Sequence, residues 1–197
     1  MNIEQMLNEV CELATMKATA ALSKFLKTPV GVEIKAVEIK PASVLQKVLD
    51  QKEKMVCLIQ PITGDILGVS LLLHSEEAAH SICDALFNRK SGGTTEFNAP
   101  EKSALGEVAN IVVGNFLGSF AQALQIDSLM HCAPEFEFSS GNNIQKKIIP
   151  RYEKLSQVLV MLSFTFEHVK IKGLVLIMLE EEKLKMILNR MSLTTND

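Results

Sequence analysis

The 197-residue chain has no tryptophan, one tyrosine and only 5% aromatic residues. Aromatic platforms for stacking nucleic-acid bases are therefore not expected. No excess of one charge exists either. Twenty Lys and Arg stand against 23 Asp and Glu, giving a net charge of −3. That balance argues against strong electrostatic attachment to nucleic acid or to an anionic membrane. Long hydrophobic runs are missing. The longest purely apolar run, Leu174 to Leu179, is far short of the roughly 20 residues a membrane span needs. The least polar longer stretch, Ile111 to Ile126, is interrupted by Asn115, Ser119, Gln122 and Gln125. The N-terminus, MNIEQMLNEV, carries acidic residues where a secretion signal needs a basic start and an apolar run. Cysteine is sparse: Cys11, Cys57, Cys83 and Cys132 form no CxxC pair. These absences together lead to the expectation of a cytoplasmic chain with free thiols and no membrane insertion.

What is present is ordinary globular material, 47% hydrophobic and 22% charged. Leu7, Val10, Leu13, Ala14, Ala21, Leu22 and Phe25 recur at helical spacing, so residues 2–27 should form a helix, stopped at Thr28-Pro29. Val30 to Ile39 alternates as a strand, with one bulge shifting the phase between Ile34 and Val37. A short helix is expected over Pro41 to Asp50. A hairpin follows, with strands 55–60 and 66–73 around Thr63-Gly64-Asp65. Ser75 is a good cap for a helix running to Phe87. Residues 88–98 have the composition of a linker. Asn98, Pro100 and Glu101 open a long helix to about Leu124. A strand near Glu135 to Phe138, a polar loop from Ser139 to Lys147, a hairpin over 158–179 and a helix over 180–191 complete the chain.

The order helix, strand, hairpin, helix thus occurs twice, over about 2–87 and 99–191. The helices align at an offset of 98, Glu9 with Glu107 and Leu22 with Phe120. The hairpins align at 105, Gly68 with Gly173. The expectation is one α+β domain spanning 1–197. It is internally duplicated and pseudo-twofold symmetric, with an antiparallel sheet packed by long helices, since neither half has strands enough to close a core alone.

On the helix at 99–124, Ser103, Glu107, Asn110 and Gly114 follow one another at spacings of four, three and four, opposite an apolar stripe. They share one face. Taken by themselves such residues are more often a solvated surface. The glycine costs about 0.8–1 kcal/mol in helix propensity, and close approach of another backbone or a large partner is one reason for it.

The segment SALGEVANIVVGNFLGSFAQAL resembles the signature of the CheC, CheX and FliY family of chemotaxis phosphatases. That signature is Asp or Ser, three residues, Glu, two residues, Asn, and a proline about two dozen residues later. Ser103, Glu107 and Asn110 match, and Pro134 lies one residue beyond the usual spacing. The length and the duplication resemble CheC more than CheX. The resemblance implies a phosphatase for the aspartyl-phosphate of a CheY-like response regulator, with the Mg²⁺ supplied by that partner and no cofactor of its own. Asn110 would hold the attacking water. Glu107 would pair with the regulator's lysine. Ser103, Gly114 and Pro134 would serve the partner contact. The same positions of the first half hold Gln5, Glu9 and Glu12, with Met16 in place of the glycine, so that copy is expected to be degenerate. The resemblance also implies an alternative, an adaptor that binds a CheD-type deamidase or the flagellar switch without catalysis. His80 with Cys83 and His131 with Cys132 are weak candidates for metal ligands, and no metal site is expected.

Overall fold

A computed structural model describes residues 3–27, 29–41, 49, 52–152, 156–166 and 171–194. The chain begins with helix α1 (Ile3–Leu26), which buries Met6, Leu7, Cys11, Ala14, Ala18 and Leu22 along one stripe. Strand β1 (Val30–Pro41) follows. The short helix expected over Pro41 to Asp50 lies outside the described residues, except for Pro41, which closes β1, and buried Leu49. The first hairpin is β2 (Lys54–Gly64) and β3 (Gly68–Ser75). Ser75 caps α2 (Glu76–Leu86), its hydroxyl oxygen accepting the N–H of Ala78 at 3.1 Å. Helix α3 (Ala99–Ala123) leads to the three-residue strand β4 (Leu129–His131) and to β5 (Glu135–Ser140). Helix α4 (Gly141–Tyr152), the hairpin β6 (Ser156–Phe166) and β7 (Ile171–Glu180), and helix α5 (Glu181–Thr194) complete the described chain.

The seven strands form one antiparallel sheet in the order β1-β6-β7-β3-β2, where β2 pairs with β4 along one stretch and with β5 along another. The expected bulge in β1 is present, as the register to β6 shifts between Ile34 and Ala36. The halves are interleaved. β1 pairs with β6 of the second hairpin, and β5 pairs with β2 of the first. At the centre Leu71 of β3 faces Leu176 of β7, 105 positions further on.

Side chains alternate across this sheet. Val56, Leu58, Ile62, Leu72, Val158, Val160, Leu162, Val175, Ile177 and Leu179 join the larger core under α1, α2, α3 and α5. Cys57, Ile59, Val69, Leu71, Leu73, Leu159, Leu176 and Met178 point to the opposite face and meet Ile144 and Ile148 of α4.

Three segments differ from expectation. Strand β4 lies between the helix and the strand near Glu135 to Phe138, where no element is expected, and it forms by pairing with the end of β2. The polar loop expected over Ser139 to Lys147 is the end of β5 and most of α4. Ile144 is the one large apolar residue of that stretch, and Ile148, Ile149 and Tyr152, which continue its stripe, lie beyond it; the second face of the sheet needs the cover they make together. Lys147 bonds Glu137 at 3.0 Å and Glu135 at 3.3 Å, fastening the helix to β5. The linker-like stretch 88–98 is pinned by a buried polar cluster. Arg89 Nη1 donates to Thr94 Oγ1 at 3.0 Å and to Glu101 Oε1 at 2.8 Å, while Asp84 accepts from Thr94 Oγ1 at 2.6 Å and from Gly93 N–H at 3.1 Å. Burial pushes the Asp84 carboxyl up, but hydrogen bonds from Thr94, Gly93 and Gly92 outweigh it and hold the group below its usual range.

Candidate functional site

Helix α3 starts from a firm anchor. Glu101 Oε2 accepts the N–H of Asn98 at 3.1 Å, and its other oxygen takes Arg89. Leu105, Val108, Val112, Phe116 and Phe120 are fully buried, which fixes the helix's rotation about its axis. By length and composition α3 could also cross a bilayer, but its apolar stripe is spent on this core. The opposite face then has no freedom to turn inward. Ser103 and Glu107 are exposed, and Asn110 and Gly114 are half-buried.

The side chains on this face are not independent. Asn110 Nδ2 donates to Glu107 Oε2 at 3.4 Å. On its other side Asn110 Oδ1 accepts Gln60 Nε2 at 3.0 Å. Gln60 comes from β2 and is completely buried. Its Nε2 also donates to the Cys132 carbonyl at 3.3 Å and lies 2.9 Å from His131 Nδ1. Glu107, Asn110, Gln60 and the end of β4 thus form one polar chain running from solvent into the core.

Strand β4 is held in place by its neighbours. Gly64 has φ +116, and a Cβ there would lie 2.2 Å from the Ser128 carbonyl oxygen. Only glycine permits that approach. Asp65 N–H then donates to Ser128 O at 2.7 Å, Asp65 Oδ2 accepts Ser128 N–H at 3.0 Å, and Cys132 N–H donates to Pro61 O at 2.8 Å. So fixed, β4 lays the His131 imidazole against Gly114, where an added Cβ would lie 3.0 Å from Nε2. The close approach that this helical glycine requires is supplied by the chain's own histidine. Pro134 packs in a similar way at Gly106, its Cγ 3.2 Å from where a Cβ would stand.

Glu107, Asn110 and Gly114 therefore come together, Ser103 extends their row on α3, and Pro134 buttresses the same helix. The residues that sequence reasoning passed over are Gln60, and His131 in this role. One signal for Gln60 was available: it is the lone polar residue in the run Met55 to Ile62, at a position where alternation calls for an apolar side chain. Gln5, Glu9 and Glu12 lie exposed on α1, with Met16 69% exposed beside them. The weak metal candidates do not converge. His80 stacks on Phe97 at 4.5 Å, Cys83 is buried, and Cys132 is exposed. Among the described residues no group of three or more His, Cys, Asp or Glu could hold a metal ion.

Residues 101–128 match the model of the CheC-like family. The structure is similar to FliY of Thermotoga maritima, with a TM-score of 0.74 at 17% identity over 94% of this chain and 93% of that one. It is similar to CheX in the CheX–CheY–BeF3–Mg complex of Borrelia burgdorferi, with a TM-score of 0.59 at 18% identity over 86% and 97%. The FliM middle domain of H. pylori also matches, with a TM-score of 0.64 at 14% identity over 94% and 95%. The fold is the one shared by CheX, FliY and the FliM middle domain. The chain carries the CheC-like signature on it, and the resemblance to the CheC, CheX and FliY family stands.

Proposed function

We propose that the chain is a chemotaxis phosphatase, hydrolysing the aspartyl-phosphate of a CheY-like receiver domain in the cytoplasm through one site on α3. The observation that carries this is the pairing of Glu107 with Asn110 on an outward helix face, inside the segment that matches the CheC-like family. The related CheX was solved with CheY, BeF3 and Mg, which supports a receiver domain as the partner.

Acyl phosphates are labile, so the partner protein needs mainly to place a water in line and hold it. The Asn110 carboxamide is uncharged and can donate, which suits a water beside an anionic phosphoryl group. Glu107, one turn away and exposed, is available to a lysine of the receiver. The metal belongs to the receiver in this reading, and the chain supplies no cofactor.

The first-half face on α1 is inactive in this reading. Glu12 in place of asparagine would set a carboxylate against the phosphoryl dianion. At about 4 Å and an effective dielectric near 20 that costs about 4 kcal/mol per charge pair. Met16 would add an exposed thioether at the position that Gly114 takes on α3.

The test is loss of phosphate from a phosphorylated CheY-type receiver, with four proteins side by side. Wild type should accelerate the loss. Asn110→Ala should return it to the receiver's own rate, and Glu9→Ala and Glu12→Ala should keep wild-type turnover. A second reading, an adaptor without catalysis, draws support from the FliM middle domain on the same fold. It takes over if wild type binds receivers but accelerates none, with a CheD-type deamidase or the flagellar switch as the remaining partners to assay.

A further inference from the structure

The β2 side chains that face the helices run Val56, Leu58, Gln60, Ile62. Three belong to the core, and the fourth is a glutamine with no exposed surface. A buried amide is costly unless its hydrogen-bonding capacity is met. Here it is met only on one side. Gln60 Oε1 has no partner among the described residues, and neither does Ser70 Oγ, which lies opposite in register on β3. Stability therefore does not account for a glutamine at this position.

Its donor side has a clear task. The Cys132 carbonyl can only accept, and it lies 3.3 Å from Gln60 Nε2. Turning the Gln60 amide over would bring oxygen against that oxygen. With Gln60 so fixed, its nitrogen faces Asn110, and Asn110 must answer with its oxygen. The Asn110 nitrogen is then left outward, beside the Glu107 carboxylate, which also can only accept. With His131 in its Nε2–H tautomer, its Nδ1 is a further acceptor 2.9 Å from Gln60 Nε2, and the acceptors at the two ends of the row then set the direction of the amides between them.

We infer that Gln60 is a positioning residue, which locks the Asn110 carboxamide with its N–H₂ group outward and so makes the exposed end of the site a hydrogen-bond donor. An outward donor fits an anionic or water oxygen and rejects a partner that offers only N–H. The catalytic consequence rests on the phosphatase reading; the orientation of Asn110 does not.

Gln60→Met keeps the unbranched shape and removes the amide, and Gln60→Leu is a second apolar replacement. The first readout needs no partner: the side-chain amide ¹⁵N–¹H₂ resonances of Asn110 in the free protein. In wild type this group should be ordered. In Gln60→Met its order parameter should drop to that of a free surface asparagine, with the melting temperature unchanged or raised. The second readout is turnover on a phosphorylated receiver. Turnover number should fall on the order of 10²-fold, as misplacement of a reacting group does, while KM for the receiver stays close to wild type. An Asn110 amide that keeps its order and shift in Gln60→Met overturns the inference whatever the activity. Collapse of both variants to unfolded protein overturns it too, because Gln60 would then be a packing residue. If wild type proves inactive on every receiver, the phosphatase reading fails, while the resonance measurement still decides the role of Gln60.

Discussion

His74, near the end of β3, is 2% exposed, and burial lowers its pKa from 6.5 to about 4. A base whose folded pKa is depressed is neutral in the fold while the unfolded chain still binds a proton. Its contribution is complete above pH 6.5 and is lost as pH falls toward 4. The pKa gap corresponds to about 3 kcal/mol. Urea unfolding at pH 7 and pH 4 should show wild type losing up to about that much more stability than His74→Leu. A parallel loss in the two proteins would mean that His74 does not titrate with unfolding. Burial likewise pushes up the thiols of Cys57, of Cys11 to about 12 and of Cys83 to about 11, so that Cys132 is the exposed thiol among the described residues. At this scale sequence spacing identified the face of α3, but not its inner support. Glutamine 60 and histidine 131 lie 50 positions before and 21 after Asn110, and no local pattern links them.

Among the elements, α3 was legible because its signals are local: a cap at Asn98, Glu101 three residues later, and an apolar stripe of helical period. Helix α4 was not, because its two buried isoleucines are too few to mark a period and its helicity depends on the sheet face it covers. The stretch 88–98 shows the same limit. Its composition suggests a linker, yet Arg89, Thr94, Asp84 and Glu101 clamp it to the start of α3. The hydrogen bond from Arg89 is the main cause that holds the Glu101 carboxyl below its usual 4.5. That stabilisation is present above the ordinary carboxylate range and disappears as pH falls through the depressed value. Arg89→Ala should therefore melt several degrees below wild type at pH 7. The gap should close on acidification below pH 4.5. A gap that persists into strong acid would assign the loss to packing of the Arg89 stem rather than to its charge.

For the whole molecule, the strand order carries the strongest consequence. β1 has its partner in the second half and β5 has its partner in the first. Neither half contains a closed set of hydrogen bonds, so each should fail to fold alone. Residues 1–92 and 93–197 expressed separately should give disordered circular dichroism and poor amide dispersion. Mixed in equal amounts, they should recover the native spectrum. A first-half piece that folds by itself would mean that the interleaved pairing is not required for stability.

Local pattern was enough to place α1, α2, α3, α5, the two hairpins and the bulge in β1, and to align Ser103, Glu107 and Asn110 on one face of α3. All of these follow from short-range periodicity and capping, which a single chain displays without its fold. The folded chain was needed to see which strand lies beside which, that a polar stretch becomes α4, and that a glutamine from β2 and a histidine from β4 meet under Asn110 and Gly114. Those outcomes depend on contacts between residues distant in sequence, where burial and hydrogen-bond polarity, rather than local preference, set the arrangement.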